Sequence, residues 1–285
     1  CLLCLLAFAA CTATPADGPG GVMLVAPPPG DPATDRLVDA TATYLDRLSG
    51  HTTAIWRPNA APSRKTLETK AESRGAGLVI GLDVGQTAFA TASTCALKGD
   101  AFRLESWEAG SHNNRLGSTG ATYVLSTTVS ALGRQYAAYE LLRRLGARFY
   151  HPEQELIPKN RLADLRERAA KPTVVARLVS GVPSECYVPD FTHRGFTYHG
   201  SHPLEVREAL SDSAHDIGEA LRLNDWSIKN RGNSFIGGRS GSAPPDREAK
   251  RRTELSALRN TLGFANSTGI TLHNEQQGAD AAVDP

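Results

Sequence analysis

The chain has 285 residues, 40% of them hydrophobic, which is enough for one large domain or two ordinary ones with proper cores; two are expected. Its 31 Lys and Arg side chains against 30 Asp and Glu leave a formal net charge of +1, with no long run of one sign. That balance argues against a phosphate-backbone partner, so no nucleic acid is expected.

In chain order, residues 1–11, "CLLCLLAFAAC", form an apolar run too short to span a bilayer as a helix but of the right length for the centre of a secretory signal. Phe8-Ala9-Ala10-Cys11 resembles the lipobox of bacterial lipoproteins. It implies acylation at Cys11, export across the inner membrane and a lipid-anchored place in the periplasm or at the cell surface. The alternative is an ordinary cleaved signal. No Met and no basic residue precede the run, so the start of the signal is expected upstream. Residues 12–21, rich in Thr, Pro, Ala, Asp and Gly, read as a tether. Beyond Cys11 the cysteines are Cys95 and Cys186, which read equally as a disulfide or as two apolar thiols.

The stretch at 22–170 predicts a mixed-sheet α/β domain. "GVMLVAPP" (21–28) reads as a buried strand, and 35–49 as a helix with Leu37, Thr41, Tyr44, Leu45 and Leu48 on one face, stopped by Gly50. Strands are predicted at 51–58, 75–83, 101–109 and 122–129, with only a weak helical signal between the first two. "GLDVGQT" (81–87) lacks the ending of a phosphate loop and reads as a turn, and no cofactor signature is found elsewhere. The clearest helix, beginning at 131, sets Ala138, Leu141, Leu142 and Leu145 inward and Gln135, Glu140, Arg143 and Arg144 outward. Tyr136 and Tyr139 fit its core periodicity, and Gly146 caps it before the strand that starts at "ARFY". The predicted order is β-α-β-β-β-β-α-β.

Residues 171–191 read as a connector. From 192 the pattern becomes β-α-β-α-β, with short strands in "FTHRGFTYHG", "NSFIGG" and "GITLHNE". This is the opening of a (β/α)8 barrel, which takes roughly 250 residues when complete, so 192–285 is expected to be an incomplete barrel. His193, His199 and His202 have no acidic fourth ligand at useful spacing, so no metal site is expected. His199 and His202 fall at the C-terminal end of the first barrel strand, where they either meet substrate or cap the next helix.

Together, "YAAYELLRRLGARFYHPEQELIPK" (136–159) and "HRGFTYHGSHPLEVREAL" (193–210) resemble a group of secreted bacterial glycoside hydrolases. In these a small α/β domain, as in α-glucuronidases and β-hexosaminidases, precedes a catalytic barrel. The resemblance implies that Arg194 holds sugar hydroxyls at the pocket base, where a planar guanidinium can grip two at once. An interior ion pair or packing at the barrel floor is the alternative role for Arg194. Asn233 stands at the family's matching Asn, while Ile236, Gly237 and Gly238 replace the histidines of β-hexosaminidases, which leans the resemblance toward α-glucuronidases or an uncharacterised branch. His273 and Glu275 close the third strand and are candidates for the pocket rim. The catalytic carboxylates are expected beyond Pro285, so the chain alone is expected to be inactive. The implied partner is a carbohydrate substrate. The alternative is a non-catalytic carbohydrate-binding surface lipoprotein.

Overall fold

The computed structural model describes residues 21–85, 88, 96–109, 121–162, 184–191, 194–196, 217–235 and 257. β1 (Gly21–Val25) is followed by helix α1 (Pro32–Ser49), whose N-cap Asp31 accepts a hydrogen bond from the Thr34 amide. Proline in its first turn fits a helix start, where no amide donor is needed. The predicted face is the buried one, and Leu37, Leu45 and Leu48 are almost fully enclosed. Each such leucine contributes about 1.5–3 kcal/mol of transfer free energy. Gly50 ends the helix at φ 75°, a left-handed conformation in which a side chain would also collide with Asn160.

β2 (Ala54–Trp56), helix α2 (Arg64–Ser73), β3 (Ala76–Gly81), β4 (Phe102–Glu108), β5 (Thr122–Thr128) and helix α3 (Ala131–Arg144) follow. The weak helical signal between the first strands is thus a real helix, capped by Ser63 and burying only Leu67 and Ala71. β6 (Arg148–His151) and β7 (Gln154–Leu156) form an antiparallel hairpin. β8 (Ser184–Tyr187) lies in the stretch read as connector, yet it pairs with β4.

The main sheet is mixed, in the order β2-β1-β3-β5-β4-β8. β2, β1, β3 and β5 run parallel, and β4 is antiparallel to both β5 and β8. Successive residues of β1 serve opposite faces: Val22 and Leu24 join the layer with α1 and α3, Met23 and Val25 the layer with α2. The central strands therefore read as continuous apolar runs. Gln135, expected to face outward, is buried because α3 is enclosed by the sheet, α1 and a further helix. Tyr136 and Tyr139 are buried, as their periodicity predicts.

That further helix is α4 (Ile217–Lys229), between β9 (Gly195–Phe196) and β10 (Ser234–Phe235). β9 and β10 pair in parallel, with Gly195 opposite Ser234 and Phe196 opposite Phe235. Ile228 enters the same core as α1 and α3. The strand predicted in "GITLHNE" and the helix predicted before it lie outside the described residues apart from Ala257.

Candidate functional site: the end of α4 and the cleft beside α3

Of the residues singled out in the sequence, the structure describes Arg194 and Asn233 and brings them together. The Arg194 amide donates to Asn233 Oδ1 at 2.8 Å, and the Asn233 amide returns a bond to the Arg194 carbonyl at 2.8 Å. This reciprocal pair sets the registry at the start of β9 and β10. His199, His202, His273, Glu275 and Cys11 lie outside the described residues.

The Arg194 guanidinium is engaged on all three nitrogens. Nε donates to the Arg231 carbonyl at 2.9 Å, Nη1 to the Phe191 carbonyl at 2.6 Å, and Nη2 to Asp100 Oδ2 at 2.9 Å and the Tyr136 hydroxyl at 3.4 Å. Asn233 Nδ2 reaches the same Asp100 oxygen at 3.0 Å, and the Tyr136 hydroxyl donates to the Gly232 carbonyl at 2.8 Å. Burial pushes the Tyr136 hydroxyl well above the ordinary tyrosine range, so it remains a donor. In this arrangement Arg194 ties the start of β9 to the end of α4 and to the turn before β4. Its fork is engaged by protein groups, Asp100 the charged one among them. Arg231 makes the tie possible: at φ 62° it closes α4, letting the Gly232 amide reach back to the Ser227 carbonyl at 2.7 Å.

Two residues before Arg231, Lys229 is buried. Its ammonium contacts Glu155 Oε1 and Asp225 Oδ2, each at 2.6 Å, and lies 5.4–5.6 Å from the ring centres of Tyr44, Tyr139 and Phe149. Burial alone would lower its pKa; Tyr139, Asp225 and Tyr44 more than reverse this and raise it. Tyr44 donates to Glu155 at 2.8 Å and is pushed up to about 12, chiefly by burial. Only the Asp225–Lys229 spacing of four was visible in the sequence. The rings come from α1, α3 and β6, and no local pattern marks their convergence.

Beside this cluster, at the C-terminal end of α3, opens a cleft of ≈ 520 Å³ lined by Glu140, Arg143, Arg144, Arg148, Phe149, Tyr150 and Asn230. Arg144 is ion-paired with Glu140 and Glu185. Among the described residues Arg143 and Arg148 bind only neutral groups: Arg143 Nη2 donates to the Lys229 carbonyl and Asn230 Oδ1, each at 2.8 Å, and Arg148 Nη1 to the carbonyls of Arg143 and Ala147 at 2.8 and 2.7 Å. Among the described residues no group of three or more His, Cys, Asp and Glu side chains is placed to hold a metal ion. No described helix is long and apolar enough to cross a membrane.

No family profile matches the chain, and no curated protein matches it. Among solved structures it is similar to a family GH115 4-O-methyl-α-glucuronidase described as specific for decorated arabinogalactans. The identity is 12% and the TM-score 0.40, over 77% of this chain and 25% of the other. The chain thus spans about a quarter of that protein's length, and a likeness of this strength carries no weight for function.

Proposed function

We propose that the chain is the N-terminal part of a secreted, lipid-anchored glycoside hydrolase, with the mixed α/β unit leading into a catalytic (β/α)8 barrel whose acid and base or nucleophile carboxylates lie past Pro285. The observation that carries this reading is the parallel pairing of β9 with β10 across α4, the repeating unit from which such barrels are built. The sequence resemblance supports it through the same residues, since Arg194 and Asn233 open the two strands. In this reading His199 and His202, following β9, belong to the face on which barrel active sites are assembled, and His273 and Glu275 to its rim. Cys186 is disulfide-bonded, which supports an oxidising compartment.

Bond cleavage would pass through an oxocarbenium-like transition state flanked by two carboxyl groups. The test is to express the product of the whole reading frame and measure release of reducing ends from uronate-bearing and neutral plant oligosaccharides. Hydrolysis that disappears when one later strand-end carboxylate becomes its amide is the expected outcome. A folded full-length protein that cleaves none of these substrates would overturn the reading.

A further inference from the structure

The cleft beside α3 is lined mainly by residues of α3 and β6, with Asn230 from the end of α4. Three guanidiniums line it, from Arg143, Arg144 and Arg148; Arg144 is paired with Glu140 and Glu185, and Glu140 also pairs with Arg231 beside the cleft. Arg143 and Arg148 have, among the described residues, carbonyl and amide partners alone. A neutral acceptor satisfies geometry but not charge, so an anion entering here would meet two guanidiniums that, among the described residues, have no carboxylate at ion-pair distance. Burial lowers the Arg143 pKa first; Glu140 opposes this, and Arg231 and Arg148 add to it, the signature of crowded like charge.

The outer face of the β6–β7 hairpin continues the cleft. Alternation along β6 turns Arg148 and Tyr150 outward, and Tyr150 is 65% exposed although its neighbour Phe149 is buried. An exposed aromatic ring beside fixed donors is the chemistry that sugars select, since the ring covers the C–H face of a pyranose while the donors take its oxygens. The cleft volume falls in the range of small-ligand sites. With a net charge of +1 over the whole chain, the cationic character is local, suited to a short anionic ligand rather than a long polyanion.

We propose that this cleft binds an anionic oligosaccharide, with Arg143 and Arg148 holding its carboxylate or sulfate and Tyr150 stacking on an adjacent sugar ring. That the ligand is a sugar rests on the carbohydrate reading above; that it is anionic rests on the two guanidiniums. Because Arg148 also donates to the Arg143 carbonyl at the end of α3, loss of binding in its variant must be separated from loss of structure.

The experiment is calorimetry on the 285-residue chain with four probes: trigalacturonate, its neutral galactose counterpart, a chondroitin sulfate tetrasaccharide and a hexaglutamate peptide. The expected result is binding of at least one charged sugar about tenfold or more tighter than the neutral one, and tighter than the peptide. Whichever charged sugar wins identifies the anionic group. Tyr150→Ala and Arg148→Gln should each weaken it about tenfold with an unchanged melting temperature for Tyr150→Ala. Equal binding of the neutral sugar or the peptide, no binding of either charged sugar, or indifference to Tyr150→Ala would overturn the proposal. Hydrolysis by the full-length product is read separately, so either reading can fail while the other stands.

Discussion

Arg194 and Lys229 solve the same problem in two ways. Each is a cation withdrawn from water near the end of α4, and each needs partners that replace its hydration. Arg194 meets flat, directional acceptors suited to its fork, two carbonyls and one carboxylate. Lys229, a point charge, sits among two carboxylates and three ring faces. Asp100 is the hinge of the Arg194 network because one of its oxygens serves both Arg194 and Asn233. Asp100→Asn should therefore destabilise the fold by about 2–3 kcal/mol, leaving Arg194 without a charge partner. Urea denaturation measures this, and a change under about 0.5 kcal/mol would show that the network does not hold α4 in place. Arg194 and Asn233 could be picked from the sequence as neighbours of two strand starts. Asp100 could not, because it stands in a short turn some ninety residues earlier with no motif around it.

At the scale of elements, amphipathic pattern decided what could be read. α1 and the core stripe of α3 follow their periodicity, and Gly50 ends α1 where a left-handed residue is required. α2 gave a faint signal because it touches the sheet through only Leu67 and Ala71. β8 gave none, since it is a four-residue edge strand with alternating exposure and takes its identity from pairing with β4. An edge strand held by one neighbour gains from a covalent tie, and Cys186 lies in it opposite Arg103. Its disulfide partner is outside the described residues. Cys186→Ser should cost about 2–4 kcal/mol, and reductant should bring the unmodified chain down to the variant's melting temperature without moving the variant. A melt indifferent to reductant would contradict a stabilising role for this bond.

Across the whole molecule, the buried polar groups share one pH response. Burial is the main cause that raises Tyr44, Tyr123, Tyr136 and Tyr139, and Lys229 is raised by its neighbours against burial. A folded-state pKa above the unfolded one gives stability that is complete below the ordinary values, 10.0 for tyrosine and 10.5 for lysine, and is lost as pH climbs toward the folded value. The melting temperature should fall by at least about 5 °C between pH 9 and 11, and a flat profile there would contradict the burial of these groups. The mixed sheet was legible because its central strands are apolar on both faces. The contact between α4 and α3 was not, since it depends on residues almost ninety positions apart, such as Tyr139 and Asp225.

The central claim, that β9, α4 and β10 begin a catalytic barrel, is tested most directly by reading the coding frame past Pro285. The account predicts that it continues through further strand–helix units and brings two carboxylates to strand ends on the face that follows β9. A stop codon directly after Pro285 would contradict it.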